Sequence, residues 1–479
     1  MICRKSPVSV AAIAVGLMLG GCAPTPRLAV VPDLISQDWS EPSPAETVER
    51  PPSVADLLRS PEIARLTELA LTANPNLLAA QARIDQALGT LRIARGAALP
   101  LVSISNGASL TRVDRVNSAT GALGSTFDFA TSFAAIDASY AVDLGGGISA
   151  GKRAAKERAR AAQFDQQELA FQLASDIART YVQRSTLEAR LALIDRNIAA
   201  TTRLQRVLEL RQREGFATRV DVGLQVIRVR ELAAERSRID EALGQTRTAL
   251  ALLVGEESPR FVPVSIDIDS FSRTAPPVPK PSEIVIFRPD VLAAEARIRA
   301  AGGDVKQARA AFLPRLDLSI NRSSQTVLSG GPLAGLTIGA SLFAPIFNRS
   351  RLKGDLEIAA AAQREAVQNY RQALLGALAD IEDSMSAVHH ASNRGSILAD
   401  IDRESRRTAS LAQQQYLEGD ADLRDVLDAQ DLLIRAQDAR ALNVQEQLEA
   451  TIALYRATRR AADVTPGRRV ASRSPRNGE

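Results

Sequence analysis

Apolar residues along this chain follow two spacings, one near 3.6 and one of 2, and the two alternate in the same order in each half. Within 61–98, Ile63, Leu66, Leu69 and Ala70 recur at helical spacing, and Pro75 suits the early turn of a second helix. Leu99-Pro100 ends that stretch, because proline biases the residue before it away from helical dihedrals. A period of two follows. It is loose over 101–111 and clear where Ala134, Ile136, Ala138, Tyr140 and Val142 alternate with smaller or polar residues. In the second half Leu316, Leu318 and Ile320 alternate with Asp317, Ser319 and Asn321, and Leu336, Ile338, Ala340 and Leu342 with Thr337, Gly339 and Ser341. Each half thus predicts two strands of about 10 residues, joined by a Gly/Ser/Thr-rich loop at 113–131 and 322–335.

Long helices come next. Residues 149–213, 218–254, 350–417 and 422–463 contain no proline. At about 1.5 Å per residue, the first tract alone extends roughly 100 Å, beyond an ordinary globular helix. Leu187, Leu191, Ile194, Ile198 and Leu208 form one packing seam. Leu423, Val426, Leu433, Val444, Leu448 and Tyr455 form another, with polar Gln430 and Gln437 at intervening seam positions. Gly215 and Gly419 interrupt the tracts at matching points, where a helix C-cap and a turn are expected.

The halves are related residue by residue. Asn74-Pro75-Asn76-Leu77-Leu78-Ala79-Ala80 returns as Arg288-Pro289-Asp290-Val291-Leu292-Ala293-Ala294, an offset of 214 residues. Arg213-Glu214-Gly215 through Asp221-Val222 matches Leu417-Glu418-Gly419 through Asp425-Val426 at an offset of 204. A unit of this size exceeds solenoid repeats. It predicts two equivalent halves of one elongated domain, linked by the Pro-rich stretch 276–281.

The first residues carry an address. Arg4 and Lys5 precede an apolar run, Val8–Leu19, that is too short to span a bilayer. Leu19-Gly20-Gly21-Cys22 then resembles a lipobox, in which the peptide is cut before Cys22 and its thiol acylated; an ordinary secretory signal with an incidental cysteine fits the same residues. Ala23 after the cysteine points to the outer membrane. With Cys3 lost and Cys22 lipidated, the mature chain has no disulfide and rests on packing.

Composition removes several classes. Hydrophobic residues reach 45% while aromatic residues are 4%, which favours long helices over an all-β fold. No uninterrupted run of 18 apolar residues follows the signal, so a helical membrane transporter is excluded. A net charge of +4 without basic blocks interleaved with aromatics argues against nucleic acid. Adjacent His389-His390 make a poor metal pair, Asp420 and Asp422 lack the spacing of a calcium loop, and Gly145-Gly146-Gly147 reads as a strand-to-helix joint rather than a phosphate loop. No enzyme, cofactor or metal site is expected. Strands of about ten residues match tilted membrane-spanning strands, yet four cannot close a barrel and open edges are not tolerated in lipid. Either several chains combine or the strands form a small soluble sheet.

Together the lipobox, the duplicated Pro-Leu-Leu/Val-Leu block, Leu-Pro before the strand pairs and the Gly-then-Asp-Val turn resemble the TolC-type outer membrane efflux proteins. Among these they resemble most the NodT-like lipoproteins that serve resistance-nodulation-division pumps. The resemblance implies an α+β, TolC-like duplicated long-helix α-barrel with four transmembrane β-strands per chain, a homotrimer closing a twelve-stranded β-barrel. It implies the exit duct of a tripartite efflux system, lipid-anchored in the outer membrane and extending into the periplasm, with a periplasmic adaptor and an inner-membrane pump as partners. A type I secretion channel or a periplasmic coiled-coil structural lipoprotein are the rival readings. The implied division is 1–21 signal peptide, 22–60 N-terminal lipidated linker and equatorial segment, 61–271 first repeat, 272–282 interrepeat linker, 283–463 second repeat and 464–479 disordered tail. The family pattern implies a periplasmic gate, with Asp425 and Asp428 ringing the constriction and Asp221 bonded to Tyr416. It makes the hairpin tips at Gly215 and Gly419 the adaptor contacts. Ala421 stands where the family has an arginine, which removes one of the usual closing bonds.

Overall fold

The computed structural model describes residue 39 and residues 53–116, 123–276, 278, 280–281, 287–327 and 331–461. The signal segment, Cys22 and the 464–479 tail lie outside the described residues. Short helices come first: α1 (Val54–Leu58), α2 (Pro61–Ala73) and α3 (Pro75–Gly96). Each starts on a capping side chain. Ser53 and Asp56 form a reciprocal capping box, Ser60 caps Ile63 N, and Asn74 Oδ1 accepts from Asn76 N at 2.9 Å and Leu77 N at 3.2 Å. Pro61 and Pro75 occupy first-turn positions, where a missing N–H costs nothing.

The pattern then repeats. Strands β1 (Leu101–Val116) and β2 (Leu123–Val142) lead into α4 (Gly147–Arg213) and α5 (Arg219–Val254); α6 (Pro289–Ala310), β3 (Arg315–Val327), β4 (Gly331–Phe343), α7 (Arg349–Glu418) and α8 (Leu423–Ala457) follow in the same order. Helices α4 and α7 run 67 and 70 residues. The strands form one antiparallel sheet in the order β1-β2-β3-β4.

The strands are longer than the alternation suggests: 16, 20, 13 and 13 residues rather than about ten. Much of the segments expected to be loops, 113–131 and 322–335, is paired strand. Small hydroxyl residues serve the ladder there, as where the Ser109 and Thr131 hydroxyls bond across strands at 2.8 Å. Apolar positions such as Val113, Phe127 and Phe129 are present there, but charged and hydroxyl residues stand between them, which blurs the alternation. Arg112 and Asp128 add a bidentate pair across the same hairpin at 2.7 and 2.8 Å.

The main core lies midway along the long helices, where α1, α2, α4, α5, α8 and the 261–271 segment meet around Leu58, Ile63, Leu66, Ile177, Tyr181, Leu250 and Leu448. Residues 54–58 of the expected N-terminal linker are therefore a packed part of this core. Tyr181 donates its hydroxyl proton to Val264 O at 2.6 Å, and burial pushes its phenol well above the usual tyrosine range. Gly255 ends α5 at φ 85°, and a Cβ there would meet Ala73 O at 2.7 Å, so glycine is required. Closer to the sheet, α4 and α6 pack through small residues. A Cβ on Gly303 would lie 2.9 Å from Ala154 Cβ, and one on Gly147 would lie 2.9 Å from Ala310 Cβ.

One charged cluster holds the second half together. Arg288, 1% exposed, donates to Ala377 O and Ala457 O and to the carboxylates of Asp290 and Asp380. Arg459 donates to Asp290 and to Glu168 of α4.

Candidate functional site

Register assigns every side chain of the sheet to one of two faces. Tyr140 heads the row that continues through Leu318 and Ala340, Ala138 lies in the row of Val102, Ile320 and Ile338, and Ile104 stands opposite Ile136. On the other face Ser139 pairs Ser319 and Gly339, and Asp137 pairs Asn321 and Thr337. Asn321 Nδ2 donates to Asp137 at 2.5 Å on that polar face. The apolar face is left uncovered: Ile104 is 79% exposed, Ile338 73% and Leu342 68%. Over its helix-proximal rows the sheet is apolar on one face with no described helix over it, an arrangement built for lipid on one side and water on the other, whereas Arg322 and the Arg112–Asp128 pair fall on that same face farther from the helices.

At the far end of the long helices, the α4–α5 and α7–α8 turns lie side by side. Leu204, Leu208, Ala409, Ala412, Tyr416, Leu423, Val426 and Ala429 pack into a small core just behind them. Gly215 at φ 82° and Gly419 at φ 90° make the turns, as the sequence indicates. Phe216 and Leu417 project from the tips, 80% and 49% exposed.

The expected gate residues have identifiable local partners. Asp221 is the third residue of α5, and its Oδ2 accepts from Thr218 N at 2.7 Å and Thr218 Oγ1 at 2.8 Å. Asp425 holds the equivalent place in α8, accepting from Asp422 N at 3.2 Å. Tyr416 is 8% exposed and packs under Arg211, with the guanidinium carbon 4.7 Å from the ring centre. The hydrogen bonds found for Asp221 thus run to Thr218 and not to Tyr416. Asp428 is exposed one turn beyond Asp425, and Ala421 is half-buried.

Two cross-hairpin contacts were not foreseen. Arg211 donates to Tyr416 O at 3.3 Å and Leu417 O at 3.1 Å, and Arg228 of α5 forms an ion pair with Asp431 of α8. A basic residue in the last turn of α4 was the signal for the first. The second required knowing that α5 and α8 approach each other here.

Comparison with known proteins decides the lineage. The outer membrane efflux protein family model matches residues 66–256 and 281–458, one segment in each half. The chain belongs to the outer membrane efflux protein family. It is 32% identical over 416 residues to the pyoverdine export outer membrane protein OpmQ of Pseudomonas putida, covering 83% of this chain and 86% of that one. It is 25% identical over 456 residues to the toluene efflux pump outer membrane protein TtgI of the same species, covering 92% and 96%. Among solved structures, the outer-membrane channel OprN superposes with a TM-score of 0.82 at 23% identity, covering 91% of this chain and 98% of that one. The outer membrane protein VceC of Vibrio cholerae superposes with a TM-score of 0.77 at 25% identity, covering 85% and 99%.

This efflux protein therefore has the TolC-like α+β fold and is an outer membrane duct. The rival reading as a coiled-coil structural lipoprotein required that the two membrane-length hairpins be absent, and both are present.

Proposed function

We propose that three copies of this chain form one exit duct that carries small molecules from an inner-membrane pump, through a periplasmic adaptor, to the cell exterior. The observation that carries this reading is the uncovered two-faced sheet, whose β1 and β4 edges have no partner strand among the described residues. Threefold repetition gives twelve strands and leaves no edge in lipid, which satisfies every backbone group. The strand lengths of 13–20 residues suffice for tilted crossing with extension beyond the bilayer. Cys22 carries the lipid anchor in this reading. The 213–221 and 417–425 turns, built on Gly215 and Gly419, receive the adaptor through exposed apolar residues such as Phe216 and Leu417. Asp425 and Asp428, repeated by symmetry, ring the closed tip and concentrate cations there. The protein performs no covalent chemistry in this role, and pump and adaptor select the cargo.

Native mass spectrometry of detergent-extracted protein tests the assembly. The expected species is a trimer whose mass includes three diacylglyceryl groups and an added acyl chain on Cys22 of each copy. A monomer, or a trimer of unmodified chains in cells with intact lipoprotein processing, would overturn the assembly or the anchor respectively. Leakage of small dyes in cells lacking the chain's pump but expressing the duct separates efflux from protein secretion only if cargo is followed directly. Intracellular accumulation of a pump substrate should therefore rise when this chain is deleted, and secreted protein levels should not change.

A further inference from the structure

The two faces of the sheet exchange polarity along its length. On the polar face the row Ser103–Asp137–Asn321–Thr337 is hydrophilic, and the row beyond it, through Ala135, holds only small residues. The next row away from the helices is Gly107–Phe133–Gln325–Leu333. Phe133 is 44% and Leu333 67% exposed on this otherwise polar face. Register puts two more phenylalanine positions farther out, in the pairs Thr111–Phe129 and Val113–Phe127. Over the same stretch the apolar face gives way at Arg322, then at Asn106, Ser132, Ser324 and Thr326. The Arg112–Asp128 pair follows, with Leu110 the large apolar residue left between.

The exchange falls where the strands leave the bilayer. A tilted strand crosses the hydrocarbon in about 9–11 residues, and Phe133 stands nine positions from Val142, the helix end of β2. The hydroxyl and charged residues of the outer face therefore sit at headgroup level, while the inner face turns apolar at the mouth of the lumen. Closing a barrel joins strand edges and leaves both faces as they are. Phe133 and Leu333 thus stay exposed to the lumen after assembly. Gly107 lets the ring lie across the neighbouring strand: a Cβ there would come within 2.7 Å of Phe133 Cε1.

We infer that Phe133 and Leu333 form an apolar collar at the outer mouth that contacts cargo and favours solutes with aromatic or aliphatic surface over hydrated ions. The inference rests on the duct reading and adds the class of solute that the last part of the passage admits most readily. Threefold repetition places three copies of each side chain in one ring. A solute with apolar surface releases water when it meets that ring, whereas a hydrated ion gains nothing there and meets a barrier. No charged residue shares the collar row, so surface rather than charge sets the preference. Pump and adaptor choose what enters; the collar acts on what leaves.

The test uses the full chain in planar bilayers, with Arg211→Ala in every sample so that the tip does not limit the current. Potassium current is followed while tetraphenylphosphonium or N-methylglucamine, both monovalent cations, is added on the sheet side. Tetraphenylphosphonium should block at a concentration about tenfold lower, the scale of one or two aromatic contacts. Phe133→Ser combined with Leu333→Ser should abolish that difference. Leu333→Ser alone, at a largely exposed position, should weaken it and serves where the double variant does not assemble. Gly107→Ala, which displaces the ring toward the lumen, should lower potassium conductance and keep the preference. Equal block by the two cations, or an undiminished preference in the serine variants, would overturn the collar. An inserted trimer that passes no potassium current would also overturn it, because rings that seal the mouth meet no cargo. A chain found only as a monomer by native mass spectrometry defeats the duct reading itself, whereas a trimer with equal block defeats the collar alone.

Discussion

Asn74 and Arg288 occupy equivalent positions in the two halves and make equivalent bonds. Each is the N-cap residue before a proline, and each is buried, at 4% and 1% exposure. Asn74 Nδ2 donates to Leu253 O at 2.8 Å, and Arg288 Nη1 donates to Ala457 O at 3.1 Å. Those carbonyls are 204 residues apart, the same offset that separates Gly215 from Gly419. Both halves thus pin the start of a barrel helix to the end of the returning helix, by an amide in one and a guanidinium in the other.

The two pins should differ in strength. Arg288→Ala leaves two carbonyls without their donor and the half-buried Asp290 carboxylate with Arg459 alone, and should destabilise the fold by roughly 3 kcal/mol, the upper end for leaving buried acceptors unsatisfied. Asn74→Ala removes a cap and one neutral bond, and should cost about 1–2 kcal/mol. Thermal unfolding of both variants, followed by circular dichroism, checks the ranking; a larger loss for Asn74→Ala would contradict it.

The same cluster predicts behaviour in acid. Burial raises the Asp290 carboxyl, but the Arg288 hydrogen bond and charge, aided by Arg459, outweigh it and hold the group below the usual carboxylate range. A depressed carboxylate contributes stability above its unfolded pKa, about 3.9, and loses it as pH falls through the lower folded value. Unfolding temperature should therefore hold between pH 7 and 5 as far as this group is concerned, and fall below about pH 4. Asp290→Asn should be less stable at neutral pH and show a shallower acid limb.

A charge on the apolar sheet face should cost more than one on the polar face. Leu318, beside Tyr140 and Ala340, changed to Arg should cost about 2–4 kcal/mol per chain near mid-bilayer. Ser319→Arg, beside Ser139 and Gly339, points the other way and should be tolerated. The yield of heat-resistant assembly in membranes reads the difference, and equal yields would count against the lipid-facing assignment.

At the tip, Arg211 is the contact to remove. Arg211→Ala loses the cation–ring contact and both carbonyl bonds, about 1–3 kcal/mol, and should raise open probability in planar bilayers. Tyr416→Phe keeps the ring under the guanidinium and should change little. A larger effect from Tyr416→Phe would mean that its hydroxyl closes the gate through a bond formed only in the assembly.

The two acidic positions can be separated as well. Asp425 caps α8 while Asp428 has no capping bond. Asp428→Ala should lower cation selectivity with stability unchanged, and Asp425→Ala should lower both. Unchanged selectivity in the double variant would place the narrowest point elsewhere.

The long proline-free tracts, the turn glycines and the duplication were legible because each rests on a local rule. Pro75 at a first turn and Gly215 and Gly419 at positive φ fall where sequence alone puts them. Strand ends were not legible, since Ser109 and Thr131 pair through hydroxyls that carry no hydrophobic rhythm. At the tip, the family pattern pairs Asp221 with Tyr416, while within one chain the Asp221 carboxylate meets Thr218 and the Tyr416 ring meets Arg211. Thr218 competes for Asp221 from three residues away, and Arg211 reaches Tyr416 from a helix distant in sequence. Local capping geometry and long-range approach both escape a reading by spacing.

The small-residue contact between α4 and α6 bears on the bore of the duct. The circumference of a ring of helices is the sum of its interaxial spacings, and side-chain volume at each seam sets those spacings within about 8–10 Å. Gly303 against Ala154, and Gly147 against Ala310, make a close seam beside the sheet. Bulkier residues there would widen the cylinder at its membrane end alone and give it a taper. The calibre of the passage is thus written in absent methyl groups between two helices, at Gly147 and Gly303.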